Sequence, residues 1–311
     1  MLKKAISMAI TMGIGLGSAA VAEEPQSPTT GKQEGSLFEP HFGKDFSASV
    51  GVKAWISQWT LPLYHVRENQ SDQELVQSYV SKTEIPIVPV ISFRYKNFFV
   101  SGSYFPKTDY SFGEQFIDLP VEGSETKVLK ELSGSAERSE WDINVGYYLL
   151  PSLVVTAGYK KINRDYRWVV SPENADIVTR DARDDDDAVP IADNITSILT
   201  FEGTFEANDD IDGLTLGIAG VAPLQGRLGL YGNFAFGWLE TYSSSGATYD
   251  ADYYLGDLGL LYSSRLDNIR MLEAASVYLG YRFQTFTEDV PIGEGTTDTT
   301  KGFVFGVNFV F

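Results

Sequence analysis

The sequence contains no cysteine. No disulfide framework, thiol nucleophile or thiolate metal site is therefore available to it. Beyond its first residues it also lacks any apolar run approaching the ~20 residues that a membrane-spanning helix needs. Basic residues are scarce: 24 Lys and Arg stand against 42 Asp and Glu, a formal charge of −18. So acidic a chain makes a poor partner for nucleic acid, because that affinity comes from neutralising phosphates. Histidine is nearly absent, with two in the chain, and only His65 lies in the regularly patterned region.

What is present begins with a secretory pattern. Lys3 and Lys4 precede an apolar run from Ala5 to Gly17, and Ala20-Val21-Ala22 has the form of a signal cleavage site. Residues 1–22 read as a signal peptide, whose removal leaves 22 basic against 42 acidic residues, a charge of −20. Residues 23–44 are rich in Pro, Ser, Thr, Gly and charge, have no period, and read as a flexible periplasmic leader.

From residue 45 to 311 the pattern has period two, which is that of a strand. Phe46, Ala48, Val50, Val52, Ala54 and Ile56 alternate with Ser47, Ser49, Gly51, Lys53 and Trp55. Similar alternations recur around Ile91, Phe98, Val145, Val155, Leu216, Phe234, Leu258, Leu279 and Phe305. Short connections at 96–97, 151–152, 223–226 and 264–270 interleave with long ones at 60–83, 107–139, 170–211, 240–250 and 287–301. Short turns on one side and long loops on the other mark a membrane barrel with both termini on the short-turn side. That predicts an all-β fold: a closed antiparallel transmembrane up-and-down β-barrel of ten strands. Twelve follow if Ile195–Phe205 and Tyr166–Val170 form a further pair. Pro86 and Pro89 each remove a ladder donor from the second strand, so a bulge or a strand starting near Val90 is expected there. Trp55, Trp59, Trp141, Trp168 and Trp238 suit interfacial girdles.

The last strand, Lys301 to Phe311, sets Phe303, Phe305, Val307, Phe309 and Phe311 on one face. A terminal aromatic face of this kind makes sense against lipid, with its edge closed on the first strand. The segment resembles the C-terminal assembly signal of bacterial outer-membrane β-barrel proteins, with Gly306, Phe309 and Phe311 at the matching positions. Val304 stands where that pattern usually has a polar residue. The resemblance implies a bacterial outer-membrane location. It also implies recognition by the barrel assembly machinery and a surround of outer-membrane lipid and lipopolysaccharide.

The inward rows carry Lys53, Arg94, Lys160, Arg227 and Arg282 against Asp142 and Asp257. A basic-leaning lining in an acidic protein reads as a narrow, anion-leaning channel for small solutes. The same residues also fit a lumen plugged by salt bridges, since ten strands fall between the filled eight-stranded and the open sixteen-stranded barrel. A plugged barrel would instead be structural or bind partners through acidic outer loops, among them the run Asp184–Asp187. Asn208, Asp210, Asp212 and Gly213 match the opening of a calcium loop, but Ala219 stands where its bidentate acid belongs, so the calcium signal is weak and no metal or cofactor is expected. His65 would sit at the outer rim of any barrel-embedded catalytic site. No Asp or Ser is tied to it by spacing, and the chain reads as not an enzyme.

Overall fold

The computed structural model describes residues 45–66, 73–120, 127–178, 203–266, 271–289 and 296–311. The expected signal peptide and leader, the run Asp184–Asp187 and residues 195–202 lie outside them.

Eleven strands alternate along the chain. They are β1 (Phe46–Val66), β2 (Gln73–Val80), β3 (Ile87–Tyr95), β4 (Phe98–Pro120), β5 (Lys127–Leu150), β6 (Leu153–Val178), β7 (Gly203–Gln225), β8 (Leu228–Ser243), β9 (Thr248–Arg265), β10 (Ala274–Glu288) and β11 (Thr296–Val310). From β3 onward consecutive strands pair antiparallel, β1 pairs with both β2 and β3, and β11 closes on β1 from Ser49↔Val310 to Thr60↔Thr299. The result is a closed barrel of ten strands plus one extra, β2. That piece pairs with the upper part of β1 from Thr60↔Val80 upward, while β3 pairs with the lower part up to Ala54↔Ile87. Between them Glu84 bridges to Ser57. The second wall strand is thus one strand interrupted around Ser81–Pro86; Pro86 closes the interruption, whereas Pro89, expected to disturb it too, sits inside β3 opposite Val52.

The described parts of the twelve-strand alternative belong to strands already counted. Gly203–Phe205 open β7 and pair with Trp168–Val170 at the outer end of β6.

The outward rows explain the lower half. Val50, Val52 and Ile56 on β1, Leu214, Leu216 and Ile218 on β7, and Phe303, Phe305 and Phe309 on β11 are exposed. A belt of such side chains is stable only against hydrocarbon. It ends at a common level, where the outward rows turn polar: Gln58 opposite Lys301, and Glu240 opposite Asp212, itself opposite Lys161. A membrane needs about 9–11 residues of a tilted strand. The strands β4 to β7 run 23 to 26 residues, so their outer halves stand clear of the lipid.

In that outer half the apolar rows turn inward. Trp59, Leu61, Tyr110, Phe112, Leu132 and Val170 are buried together on one wall, and Ile162, Ile211, Leu239 and Phe286 on the other. This corrects the girdle expectation. Trp238 is exposed on the outer face, but Trp55 and Trp59 are fully buried in the interior, and Trp168 packs on Tyr79 and Phe112 of the same cluster. Beside the terminal strand, the ring of Tyr278 lies across Gly306, where a β-carbon would come within 2.2 Å of its Cζ.

Candidate functional site: a divided lumen

Midway along the axis the lumen is filled by a buried polar cluster. Glu140 is its hub. Its Oε1 accepts from Arg138 Nε at 2.7 Å and from Gln284 Nε2 at 3.0 Å, and its Oε2 accepts from Lys160 Nζ at 2.6 Å. Lys160 also donates to Asp142 Oδ1 at 2.8 Å, and Ser103 donates to Asp142 Oδ2 at 2.7 Å. Arg138 reaches across the barrel to Thr300 Oγ1 at 2.7 Å. Its guanidinium sits 5.2 Å from the ring centroid of Trp59 and 5.1 Å from that of Phe286. Strands β1, β4, β5, β6, β10 and β11 are thus joined through the axis. Arg138, Glu140, Lys160, Gln284 and Thr300 are all buried. Two cations, Arg138 and Lys160, face two carboxylates, Glu140 and Asp142, so the cluster is balanced and can persist in a dry interior.

The cluster separates two chambers. The inner one, open toward the short turns, has a volume of about 550 Å³ and is lined by Lys53, Asp142, Tyr148, Asn233 and Arg282 among others. Tyr231 donates to Asp257 beside it at 2.9 Å. The outer one, about 270 Å³, is walled by Tyr79, Tyr166, Trp168 and Phe286 with Asp209, Glu288 and Asp298. Arg164 stands among these acids: its NH1 donates to Asp298 Oδ2 at 2.7 Å and its NH2 to Asp209 Oδ2 at 3.2 Å and to Glu288. Asp298 Oδ1 is buried with no hydrogen-bond partner. Burial pushes the Asp298 carboxyl above its ordinary range, against the pull of Arg164 and Arg138. Asp209 is raised for the same first reason, again opposed by Arg164.

The residues expected to line the lumen separate into groups. Lys53, Asp142, Lys160 and Arg282 reach the inner chamber or the cluster above it, with Asp257 close by. Arg94 lies at the inner mouth, its guanidinium 4.8 Å from the ring of Tyr148 and its Nε donating to the Lys96 carbonyl. Arg227 is not in the lumen. It occupies the exposed turn between β7 and β8, where it donates to Ser264. The calcium-loop candidates are not in a loop: Asn208, Asp210 and Asp212 are alternate residues of β7, on its outer face. Asp210 is bonded by Asn163, and among the described residues no group of three ligating side chains could hold a metal ion. His65 lies in β1 opposite Glu74; its side chain is outside the described set.

Sequence reasoning missed Arg138, Glu140, Arg164, Asp209, Glu288 and Asp298. Arg138, Asp209, Glu288 and Asp298 lie in stretches taken for loops, Glu140 at the edge of one, and Arg164 between the strand around Val155 and the loop from 170. The available signal was parity: stepping back by twos from Asp142 gives Glu140 and Arg138, and stepping forward from Lys160 gives Ile162, Arg164 and Tyr166.

No family model matches the chain, and no curated protein matches it. Solved structures do. The outer membrane protease OmpT from Escherichia coli is 12% identical, with a TM-score of 0.50 over 86% of this chain and 96% of its own. The translocator domain of the autotransporter NalP from Neisseria meningitidis is 9% identical, with a TM-score of 0.36 over 87% and 90%. The P. putida toluene transporter TodX is 10% identical, with a TM-score of 0.30 over 88% and 91%. These likenesses are of fold. One of them nonetheless overturns the expectation that the chain is not an enzyme, which had rested on the barrel and its lone histidine: the fold is one that a protease uses. With its closed sheet and lipid-facing belt, the chain is a β-barrel of the bacterial outer membrane.

Proposed function

We propose that the protein is a non-conducting outer-membrane receptor whose membrane half anchors it and whose outer chamber holds a cationic ligand. The observation that supports this is the Glu140 cluster, whose buried hydrogen bonds run from β5 to β11 through the axis. A solute passing from one chamber to the other would have to part them. The alternative, an anion-leaning pore, draws less support: Lys160 is held between two carboxylates and Arg227 lies on the outside. The outer chamber sets three carboxylates around one guanidinium within aromatic walls, a surrounding that favours an organic cation. Around this core, residues 1–22 serve as signal peptide and 23–44 as leader. Gly306, Phe309 and Phe311 serve as the assembly signal, and lipopolysaccharide lies against the belt.

Two measurements test the reading. Purified protein in planar bilayers should give no stepwise conductance; regular unitary events would overturn it. Benzyltrimethylammonium should quench tryptophan fluorescence saturably through Trp168, and Glu288→Gln with Asp298→Asn should abolish the effect. An unchanged titration in that double variant would remove the ligand from the outer chamber.

A further inference from the structure

The inner chamber carries two cations that the protein does not pair. Lys53 on β1 and Arg282 on β10 both line it, and among the described residues neither side chain makes an ion pair or a hydrogen bond. The neighbouring charges are taken. Arg138 and Lys160 stand against Glu140 and Asp142, and Asp257 accepts from Tyr231. Asp257 is the register partner of Arg282 on β9, yet the two form no ion pair. The guanidinium leans the other way, across β11, where its register partner Gly302 has no side chain. It lies 5.0 Å from the ring centroid of Trp55. Lys53 precedes Trp55 by two in the same inward row of β1, so the two cations share one wall. Arg282 is 8% exposed, and its Nε is buried with no hydrogen-bond partner.

Like charges set together in a wall backed by hydrocarbon repel strongly, because little solvent screens them. An oxyanion between them removes that repulsion. The guanidinium offers a planar fork that matches a carboxylate, and the ammonium adds a compact charge beside it. The surroundings also limit the charge of the ligand. With the Glu140 cluster balanced, Lys53 and Arg282 against Asp257 leave 2 − 1 = 1 positive charge. A dianion would exceed that and would meet Asp142 and Asp257. The rest of the wall suits a hydroxylated body, since Ser101, Asn144, Thr156, Thr215 and Asn233 are polar and uncharged. A volume of about 550 Å³ falls within the range of small-molecule sites, about 300–1,000 Å³. The Glu140 cluster shuts the chamber above, so a ligand enters and leaves on the side of the short turns.

We propose that the inner chamber is a binding site for a small polyhydroxy monocarboxylate, its carboxylate held between Arg282 and Lys53 and its hydroxyls against Thr156, Thr215 and Asn233. The site shares only the dividing cluster with the outer chamber; its ligand has the opposite charge and its residues are separate.

The test titrates gluconate calorimetrically into the full barrel in a non-ionic detergent, with ionic strength held constant by sodium chloride. Saturable binding is expected with gluconate and none with glucitol, which keeps the hydroxyls and lacks the carboxylate. Arg282→Gln and Lys53→Gln should each weaken gluconate by roughly 30-fold or more, the effect of removing one partner of a buried charge pair. Neither replacement breaks an ion pair within the protein, so both variants should fold, with urea midpoints in the absence of gluconate no lower than that of wild type. Gluconate should raise the wild-type midpoint and leave those of the two variants in place. Glu288→Gln with Asp298→Asn, which empties the outer chamber of two acids, should leave gluconate affinity unchanged. The proposal is overturned by a wild type that shows neither heat nor a raised midpoint with gluconate, or by glucitol binding equally well. Affinity that both glutamine variants retain, or tighter binding of the dianion sn-glycerol 3-phosphate than of gluconate, would overturn it as well.

Discussion

The membrane half and the outer half of this barrel are built from the same strands with opposite polarity. Along β7, Leu214, Leu216 and Ile218 face out in the lower half and are exposed, while in the upper half Asn208 and Asp210 face out and Ile211 faces in, buried. Along β1 the change falls between Ile56, exposed, and Trp59 and Leu61, buried. One sheet therefore changes solvent midway: hydrocarbon holds its lower rows outward, and water drives its upper rows inward. The hydrophobic effect folds the upper half as it folds a soluble barrel. The lower half has no such drive across its lipid face and relies on closed ladders. At the junction neither solvent reaches the axis, and that is where the Glu140 cluster sits.

The largest effect expected from breaking this arrangement is at the junction. Glu140→Ala leaves Gln284 Nε2 without its acceptor, Arg138 with only the neutral Thr300 hydroxyl and Lys160 with only Asp142. Removing one partner from a buried charge cluster costs about 3–5 kcal/mol. Urea unfolding in detergent should read a loss of that order. Glu206→Ala, on the exposed Arg167–Glu206 pair at 3.8 Å, should change almost nothing, as exposed pairs contribute about 0–1 kcal/mol. Equal losses in the two variants would mean that the axis is wet.

Next come the tryptophans. Trp59 is buried between Tyr110, Tyr166 and Arg138, whereas Trp238 is exposed on the lipid face. Trp59→Ala should cost about 3–5 kcal/mol, the range for emptying a packed site, and Trp238→Ala distinctly less. Reversal of that order in the same unfolding assay would contradict the polarity change along the strands.

A single strand sharpens the comparison further. Leu216→Arg puts a charge into the belt on β7 and should cost about 2–4 kcal/mol near the midplane. Asn208→Arg, on the same face of the same strand above the membrane, should fold and unfold like wild type. If both variants lose stability equally, the upper edge of the membrane lies higher than the Asp212–Glu240 level.

The change of polarity also explains what the sequence could and could not disclose. The lower half was legible because lipid enforces strict alternation: the ten strands and the closing edge at Phe303–Phe311 follow from it. In the upper half both rows mix polar and apolar residues. In β5, Ser135, Glu137 and Ser139 face out while Ala136, Arg138 and Glu140 face in, and no hydropathy alternation marks a strand. Its residues were therefore read as the loop 107–139, and the acids and arginines that divide the lumen went with it. Trp55 and Trp59 misled for a related reason: a tryptophan near the belt edge fits a girdle by composition, although the alternation had already set Trp55 in the inward row with Lys53.

The smallest expected effect is a dependence on pH confined to the outer half. Burial raises Asp298 and Asp209 above the ordinary carboxylate value of 3.8. For a carboxyl raised by folding, the native state holds the proton more tightly than the unfolded chain. Its contribution to stability is complete below the unfolded value and is lost as pH rises through the folded one. Mild acid should therefore strengthen the outer half with respect to these two groups. It should also weaken cation binding there, because protonation removes the charge that the ligand meets. The two signs are opposite, which separates this from general acid denaturation. Urea midpoints followed from pH 7 down to pH 4 should converge in Asp298→Asn relative to wild type, and benzyltrimethylammonium affinity in wild type should decline before the ordinary carboxylate range is reached. A wild-type affinity that holds down to the ordinary carboxylate range would mean that Asp298 and Asp209 are open to water, and that the outer chamber resembles the outer face of the barrel more than its interior.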